Sequence, residues 1–416
     1  MGAYFRLLAT DKRLAHRGSQ LELICSGELV HMAAGNSVLE FTRKTDLAPP
    51  TKRTPQARTT VSLPVDTIVV SADSHWSIAQ DIFYERFPSG LKERAPRIWR
   101  GDGVNHIGFN GKSLYPPSTV AGGSLFDYRL GSFDLDARLA DLDVEGVDKE
   151  IAFGNGIYAV LFHPDFEVRE LTCRIYNEYL AELQERAKGR FYGVGLINYW
   201  DVSKTQASID ELKALGLKSF LLPLNASKDI TGRAINYSGP EMDSFWNIVE
   251  DAGLPVLHHI GEVATESGRN SVGTAALQNF SPFRKMFGEY TMGGILDRNP
   301  RLRVAWMEAG LNWVLSTIQD ASFIYTSFHP AMNYDMQKEV KDYWNDHMFA
   351  SFMHDPLGLE LIDRIGVDKA MWASDYPHAE SVFGRGWDAI QLVLDAVPLA
   401  DAKKILSGNA LKLFNL

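Results

Sequence analysis

The sequence predicts an α/β protein built on a (β/α)8 barrel. Short apolar, β-branched runs alternate with longer segments whose apolar residues recur three and four apart, which indicates repeated strand–helix units and a parallel sheet. Gly216 and Gly253 follow two of the helical segments and precede two of the strands, as is typical of helix-to-strand turns. Eight candidate strands follow one another, the number that closes this kind of barrel.

The candidate strands share a run of buried-type residues bounded by turn formers, and they cover residues 67–72, 150–153, 191–197, 219–222, 256–259, 304–307, 348–351 and 370–373. Amphipathic periodicity predicts helices between them, at residues 168–187, 204–215, 241–252, 311–323 and 387–394. One more helix and a terminal segment at 404–410 follow the eighth strand, where they can seal the bottom or side of the barrel.

Two regions depart from this repeat. Residues 1–64 mix Arg, Lys, Gly, Ser and Thr without sustained periodicity, and the Pro-rich residues 48–55 have the composition of a linker. We therefore expect an N-terminal extension over 1–64, disordered or peripheral, and a barrel domain over 65–416. Residues 76–145, rich in Gly, Pro and aromatic residues, form an insertion after strand one, which on a barrel lies over the catalytic face.

Composition narrows the class of protein. The 42 basic and 52 acidic residues give a net charge of -10 without any basic tract, so nucleic acid is not an expected partner. Only Cys25 and Cys173 are present, which suits a reducing compartment, and we expect a cytoplasmic protein. No uncharged apolar run approaches the roughly 18 residues of a membrane span, and the first 30 residues lack the pattern of an export signal.

The first candidate strand ends in Asp-x-His. Residues two apart on a strand point the same way, so the side chains of Asp73 and His75 can both enter the barrel mouth while Ser74 faces elsewhere. A carboxylate and an imidazole there can bind a metal ion. The alternative is a polar strand end with Asp73 as a helix cap.

The fifth candidate strand ends in two adjacent histidines, His258 and His259. Adjacent residues on a strand face opposite sides, so only one of them can look into the barrel. We favour His259 as a metal ligand and keep His258 as the alternative. The alternative without a functional role is that both histidines are packed under a loop.

The eighth candidate strand ends at Asp375. One of its oxygens can bind a metal while the other takes a proton from water as a general base, although Asp375 could instead cap the turn at 375–378. With Asp73, His75 and His259 it makes two oxygen and two nitrogen donors. That set suits one divalent transition metal with an open position, with zinc the first choice and manganese or iron(II) the alternatives.

With these strand-end motifs the chain resembles the amidohydrolase superfamily, specifically the amidohydrolase-related (amidohydrolase 2) branch that contains the aminocarboxymuconate semialdehyde decarboxylase-like enzymes. The resemblance covers about residues 65–416, and no single piece of it is specific. The matching pieces, in order, are residues 71–75, 257–261, 296–304, 308–313, 355–359, 372–381 and 408–410.

The resemblance implies that Asp73 and His75 are the first-strand ligand pair, His259 the fifth-strand ligand, and Asp375 the eighth-strand ligand and proton carrier. Many relatives place a catalytic histidine at the end of strand six, where this chain has Glu308. A glutamate there would repel a substrate carboxylate, or serve as a further metal ligand or base. Its structural alternative is a carboxylate in a helix-start turn.

Further candidates surround these residues. His378 lies three residues beyond Asp375 and could orient it, so we group it with the catalytic residues. Four side chains, each of which could equally be packing, are candidates for the substrate pocket, with His354 also a candidate donor to a second metal: Trp76, His258, His354 and Tyr376.

The leading hypothesis is a metal-dependent hydrolase that attacks an amide, ester or lactone carbon with metal-activated water and Asp375 as general base. The alternatives are a metal-dependent non-oxidative decarboxylase of an aromatic or dienoic acid, a dinuclear-metal oxygenase in which Glu308 helps to hold a second ion, and a binding protein that has lost catalysis. The resemblance also implies a small carboxylate or aromatic substrate and a homo-oligomer, a dimer or higher.

Overall fold

The expected (β/α)8 barrel is confirmed by a computed structural model, which describes residues 53–58, 63–101, 104–113, 129–262, 271–378 and 380–416. The strands in these ranges are β1 (Val70–Trp76), β2 (Arg97–Gly101), β3 (Val104–Phe109), β4 (Lys112–Ser113), β5 (Lys149–Gly154), β6 (Phe191–Gly193), β7 (Gly195–Leu196), β8 (Phe220–Leu221), β9 (Val256–His259), β10 (Val304–Met307), β11 (Met348–Phe352) and β12 (Ala370–Trp372). Parallel pairing runs in the orders β1-β5-β6 and β7-β8-β9-β10-β11-β12.

Helices pack outside the strands and cover them. They are α1 (Ile82–Arg86), α2 (Leu135–Glu145), α3 (Phe166–Arg186), α4 (Val202–Ala214), α5 (Asp243–Ala252), α6 (Ser271–Gln278), α7 (Ser281–Thr291), α8 (Ile295–Arg298), α9 (Asn312–Phe328), α10 (Val340–His347), α11 (Pro356–Glu360), α12 (Ile362–Ile365), α13 (Gly386–Ala396), α14 (Leu399–Lys403) and α15 (Asn409–Phe414). A π-helical turn, Lys404–Gly408, joins α14 to α15 and contacts β1 and β12. None of the described helices is long and apolar enough to cross a membrane.

The third predicted strand is divided in two at Val194. Its N-terminal half, β6, pairs with β5, and its C-terminal half, β7, pairs with β8. Glycine is required beside the break, since a Cβ at Gly193 would lie 2.8 Å from Leu180 of α3. The amide of Val194 still donates to the carbonyl of Ala152 at 2.9 Å, so the two sheets remain joined.

The barrel closes between β12 and β1, where the two strands that carry predicted ligands meet. Ser74 and Tyr376 form a parallel bridge, and the amide of His75 donates to the carbonyl of Tyr376 at 2.7 Å. The amide of Asp375 donates to the carbonyl of Asp73 at 2.9 Å. Backbone hydrogen bonds therefore join the first and last strands of the barrel directly beside Asp73 and Asp375.

The insertion after β1 ends earlier than the sequence predicts. Its described part contains α1 and the antiparallel sheet β2-β3-β4, but α2 is the first helix of the barrel itself. The Asp134 side chain caps α2 by accepting a hydrogen bond from the amide of Ala137 at 2.9 Å, and Gly146 ends it with a φ of 69°. These end signals are visible in the sequence. They fix the end of the insertion near residue 134.

The boundary predicted at residue 65 stays a prediction, since residues 1–52 lie outside the described residues. Part of the predicted extension, residues 53–58, contacts the barrel domain. Arg53 donates to the carbonyl of Ser381 at 2.6 Å, and the side-chain oxygen of Gln56 accepts from the amide of Trp387 at 2.9 Å. The amide of Gln56 donates to Glu145 Oε1 at 2.6 Å.

The buried Glu145 carboxyl beside this segment gives a pH-dependent prediction. Burial raises its pKa from 4.5 to about 7, against the opposing effect of hydrogen bonds from the amides of Gln56 and Gly384. Both amides donate to Oε1, so the oxygen of a glutamine can accept both. Between pH 4.5 and about 7 the unfolded carboxyl is ionised while the folded one stays protonated, and wild-type stability falls as pH rises.

We therefore expect Glu145→Gln to match the wild type near pH 4.5 and to exceed it at pH 8 by on the order of 1–3 kcal/mol. Urea unfolding at the two pH values measures this difference. A stability difference that is the same at both would contradict the assignment of Glu145 as a carboxyl with a raised pKa.

Candidate metal centre

Five acidic and imidazole side chains converge at the carboxyl ends of the barrel strands, each at most 8 % exposed. His75 Nε2 lies 3.2 Å from an oxygen of Asp375, 3.7 Å from Asp73 and 3.8 Å from Glu308. His259 Nε2 lies 3.5 Å from Asp73 and 3.4 Å from Glu308. The four residues proposed from the sequence as ligands, together with Glu308, thus share one small volume.

Strand alternation explains the arrangement on β1. Asp73 and His75 point into the barrel mouth, and the intervening Ser74 contacts Ser71 through its hydroxyl at 3.1 Å. Trp76 is turned outward, where its indole donates to the hydroxyl of Tyr179 on α3 at 3.0 Å. The structure therefore places Trp76 in the layer between strands and helices, and its role as a wall of the substrate pocket stays a prediction.

The same rule separates the two histidines of β9. His259 faces the cluster, and its Nδ1 lies 2.8 Å from the carbonyl of Ile260, which leaves Nε2 directed at the carboxylates. His258 is fully buried on the other side, with Nδ1 2.7 Å from the Leu222 carbonyl and Nε2 2.8 Å from the Tyr290 hydroxyl. His258 is thus a packed core histidine outside the cluster.

Glu308 directly follows β10 and Asp375 lies three residues beyond the end of β12, and the two share an uncommon backbone conformation. Their φ angles are 53° and 54°, in the left-handed region that non-glycine residues seldom occupy. Such backbone strain tends to occur where a side chain must point in a particular direction. The amide of Glu308 is held by Ser351 Oγ at 2.8 Å, and that hydroxyl also lies 3.4 Å from an oxygen of Asp73.

The charges of the cluster oppose one another in a buried space. Burial, Asp375, Glu380 and Asp73 raise the pKa of Glu308 well above its usual range, while burial, Glu380 and Asp73 do the same for Asp375. Burial lowers the pKa of His259, but Asp73, the carbonyl of Ile260 and Asp375 together outweigh this effect, so that the pKa is raised. The side chains around the cluster therefore carry too little positive charge to keep both Glu308 and Asp375 ionised.

The donor atoms fit a divalent cation. Asp73 Oδ1, His75 Nε2, His259 Nε2 and Asp375 Oδ1 are buried and have no hydrogen-bond partner among the described residues. Ligands about 2.1 Å from one ion lie roughly 3.0–3.4 Å from each other, close to the separations found here. Two overlapping groups share His75: one adds Asp73 and His259, and the other adds Glu308, Asp375 and His378.

His378 lies next to the cluster, in the position that a residue orienting Asp375 has to occupy. Its ring stacks on that of His75 with centroids 3.7 Å apart, and its Nδ1 is 3.2 Å from Asp375 Oδ1. Its Nε2 lies 3.0 Å from the side-chain oxygen of Asn155, which follows β5. Burial lowers the pKa of His378 to about 4, so it is neutral at neutral pH.

The remaining pocket candidates lie elsewhere. The hydroxyl of Tyr376 donates to Asp141 on α2 at 2.5 Å, and its ring packs against the guanidinium of Arg138. A role for Tyr376 in the substrate pocket stays a prediction. His354 follows β11, half-buried, and is not among the side chains that converge on the cluster. Burial lowers its pKa to about 4. A role for His354 towards substrate stays a prediction.

Three residues of the site were missed from the sequence: Ser351, Asn155 and Arg138. Ser351 is the penultimate residue of β11, and its inward position follows from the same alternation that places Asp73 and His75. Asn155 directly follows β5, and a polar residue at a strand exit is a usable signal in a barrel. Nothing in the sequence indicates the partners of Arg138, which are the carboxylate of Glu150 and the backbone carbonyls of His75, Gly131 and Tyr376.

An eight-stranded barrel whose carboxylates and imidazoles meet at the carboxyl ends of the strands is the architecture of the metal-dependent amidohydrolase superfamily. The chain belongs to the amidohydrolase family, whose sequence model matches residues 78–416. This match includes His259, Glu308 and Asp375 and begins just after Asp73 and His75, whose place in the site rests on the geometry. The chain has no match among the curated proteins.

Solved structures that are similar to this one include three at low sequence identity. Amidohydrolase map2389c of Mycobacterium avium subsp. paratuberculosis K-10 is 18% identical, with a TM-score of 0.70 over 84% of this chain and 99% of that one. The 5-carboxyvanillate decarboxylase of Novosphingobium aromaticivorans, solved with manganese, is 17% identical, with a TM-score of 0.64 over 87% and 100%.

The third is the dihydroxybenzoic acid decarboxylase of Polaromonas sp. JS666, solved with manganese and 2-nitroresorcinol. It is 19% identical, with a TM-score of 0.60 over 84% of this chain and 97% of that one. At such identities these likenesses show the shared fold.

Proposed function

We propose that this protein is a metal-dependent hydrolase that cleaves an amide, ester or lactone of a small aromatic or carboxylate-bearing molecule. The observation that carries the proposal is the position of Glu308. Its carboxylate is 5 % exposed and lies 3.4 Å from His259 and 3.8 Å from His75, inside the set of ion-binding donors. A third carboxylate beside Asp73 and Asp375 changes what the site can accept.

Charge decides between the two main reactions. With a divalent ion bound, Asp73, Glu308 and Asp375 as carboxylates would carry three negative charges against the two positive charges of the ion. A substrate carboxylate brought to that ion would then meet net repulsion. A neutral carbonyl meets no such repulsion. The site therefore favours a neutral electrophilic carbon at the ion over the carboxylate that a decarboxylase must bind there.

Asp73, His75, His259 and Asp375 are the residues that would hold the ion, either zinc or the manganese found in relatives. A bound ion of this kind supplies a Lewis acid that polarises a carbonyl and lowers the pKa of water. Asp375 is the proton carrier, because it is buried and its second oxygen, Oδ2, has no hydrogen-bond partner among the described residues. His378 fixes the direction of Asp375 through the 3.2 Å contact.

Decarboxylation of an aromatic acid is the second candidate, and one observation favours it: solved decarboxylases of substituted benzoates share the fold over more than four fifths of this chain. One assay separates the two. The purified protein, loaded with manganese or zinc, is incubated with a panel of benzoic acids, lactones, aryl esters and amides. Acid release without carbon dioxide supports hydrolysis, and carbon dioxide release from a benzoic acid overturns it in favour of decarboxylation.

Glu308→Gln tests the charge argument directly. Removing one of three carboxylates should strengthen inhibition by a simple benzoate about tenfold, by relieving roughly 1.4 kcal/mol of repulsion. Turnover of a neutral substrate should not rise. Inhibition constants measured against the wild type, with Glu145→Gln as a remote control that leaves them unchanged, check this. Equal benzoate affinity in Glu308→Gln and the wild type would contradict the role given to Glu308.

A further inference from the structure

One arginine is fully buried behind the cluster. Arg138 of α2 has 0% exposure and forms a two-point ion pair with Glu150 of β5, with Nε 2.8 Å from Oε1 and Nη2 2.7 Å from Oε2. Burying both charges is costly, and an apolar pair of similar volume often gives equal or greater stability. Stability alone is therefore a weak reason for this pair.

The remaining donors of Arg138 reach the strands that carry the site. Nη1 donates to the carbonyl of His75 at 2.7 Å, and Nη2 reaches the carbonyl of Tyr376 at 3.4 Å. His75 is a proposed ligand, and Tyr376 is the residue directly after another, Asp375. The guanidinium also lies 4.5 Å from the centre of the Tyr376 ring.

This contact lies where the barrel has little other backbone pairing. Among the described residues, β1 and the segment after β12 are joined by the bridge between Ser74 and Tyr376 and by two backbone hydrogen bonds. The amide of Asp375 donates to the carbonyl of Asp73, and the amide of His75 donates to the same Tyr376 carbonyl that Arg138 approaches. Glu150 fixes the guanidinium from β5, the strand on the other side of β1. One planar group thus ties three adjacent strands together at the height of the ligands.

We propose that Arg138, held in orientation by Glu150, is a positioning residue that sets the separation of His75 and Asp375 and thereby the affinity for the metal ion. This inference rests on the proposed metal centre. Arg138 touches neither the ion-binding atoms nor the space between them, so it acts through the backbone of the two ligand-bearing strands. Residues behind metal ligands commonly change affinity by about 10–100-fold when they are replaced.

The test compares metal affinity in four proteins of full chain length. Each is freed of metal and titrated with manganese(II) or zinc(II) alone by calorimetry or equilibrium dialysis. The double variant R138M/E150M removes both charges, so that neither is left buried without its partner. The unfolding transition of the metal-free variant shows whether it is folded. R138K keeps a positive charge but lacks the fork that spans His75, Glu150 and Tyr376.

A matched control is R169M. Arg169 is a second buried arginine, 3 % exposed, whose guanidinium donates to the carbonyl of His163 at 2.9 Å and to Ser227 at 3.1 Å, away from the cluster. We expect R138M/E150M and R138K to bind the ion at least about tenfold more weakly than the wild type, and R169M to bind it unchanged.

Three distinguishable results would contradict either the positioning role of Arg138 or the metal centre on which it rests. Wild-type affinity in a folded R138M/E150M, or in R138K should the double variant not fold, refutes the positioning role and leaves the metal centre intact. An equal loss in R169M refutes it too, by showing that any buried arginine has the same effect. A wild type that takes up neither ion refutes the metal centre and the inference with it.

Discussion

Asp375→Asn is expected to lower turnover by at least about 100-fold, the effect typical of a lost acid–base group, while leaving the barrel folded. Asparagine has nearly the same shape as aspartate and can still accept a hydrogen bond, but its amide cannot carry a proton at neutral pH. Asp375 is fully buried, and Oδ1 lies 3.2 Å from both His75 Nε2 and His378 Nδ1. No other described carboxylate has both contacts.

The measurement is kcat on the substrate that the panel identifies, with metal content determined on the same sample. Asp297→Asn is a suitable control. Asp297 of α8 accepts hydrogen bonds from the hydroxyl of Tyr343 on α10 at 2.7 Å and from that of Tyr334, in the segment before α10, at 3.0 Å. Its loss should lower stability without lowering kcat. Near-normal turnover in a metal-loaded Asp375→Asn protein would show that the proton carrier is another group.

His259→Ala is expected to lower metal affinity by at least about tenfold, with little change in the stability of the metal-free protein. The Nε2 atom of His259 faces Asp73 and Glu308, and it has no hydrogen-bond partner among the described residues. Removing the ring therefore takes away a ligand and no structural hydrogen bond except the one at Nδ1 to Ile260.

His258→Ala should give the opposite pattern. His258 joins the carbonyl of Leu222 to the hydroxyl of Tyr290 and stacks on Trp306 at 5.3 Å, so its removal leaves buried polar groups unpaired. We expect a loss of about 1–3 kcal/mol or more in unfolding free energy and an unchanged metal affinity. Metal titration and urea unfolding on both variants make the comparison, and a reversal of the two patterns would assign the ligand to His258.

The barrel could be predicted from the sequence because parallel strands covered on both faces form short, continuous apolar runs. Strand β9 and strand β10 have the predicted bounds, 256–259 and 304–307. The division of the third strand at Val194 could not be predicted. It depends on the close approach of α3 and on a change of pairing partner from β5 to β8, which are tertiary facts.

Helix α2 was missed for a different reason. Its Arg138 and Glu145 are polar but buried, which breaks the apolar periodicity that predicts a helix packed on a sheet. The capping residues Asp134 and Gly146 do indicate the two ends of a helix. The irregular composition of the preceding insertion nevertheless favoured the interpretation of this segment as part of the insertion.

In the site, alternation along the strands explains which side chains enter the cluster. The rule that places Asp73 and His75 on one face also places Trp76 on the other, so the sequence itself argues against Trp76 in the pocket. The partners of Tyr376 could not be predicted, since Asp141 and Arg138 lie more than 200 residues away in the chain.

The central claim is that one metal ion is bound among Asp73, His75, His259 and Asp375. Diffraction from crystals of the full chain grown with manganese(II), recorded with anomalous scattering at a manganese-sensitive wavelength, tests it most directly. We predict a strong anomalous peak within about 2.5 Å of donor atoms from these four residues. An anomalous map without a peak there, or with manganese bound only at a distant surface site, would contradict the claim.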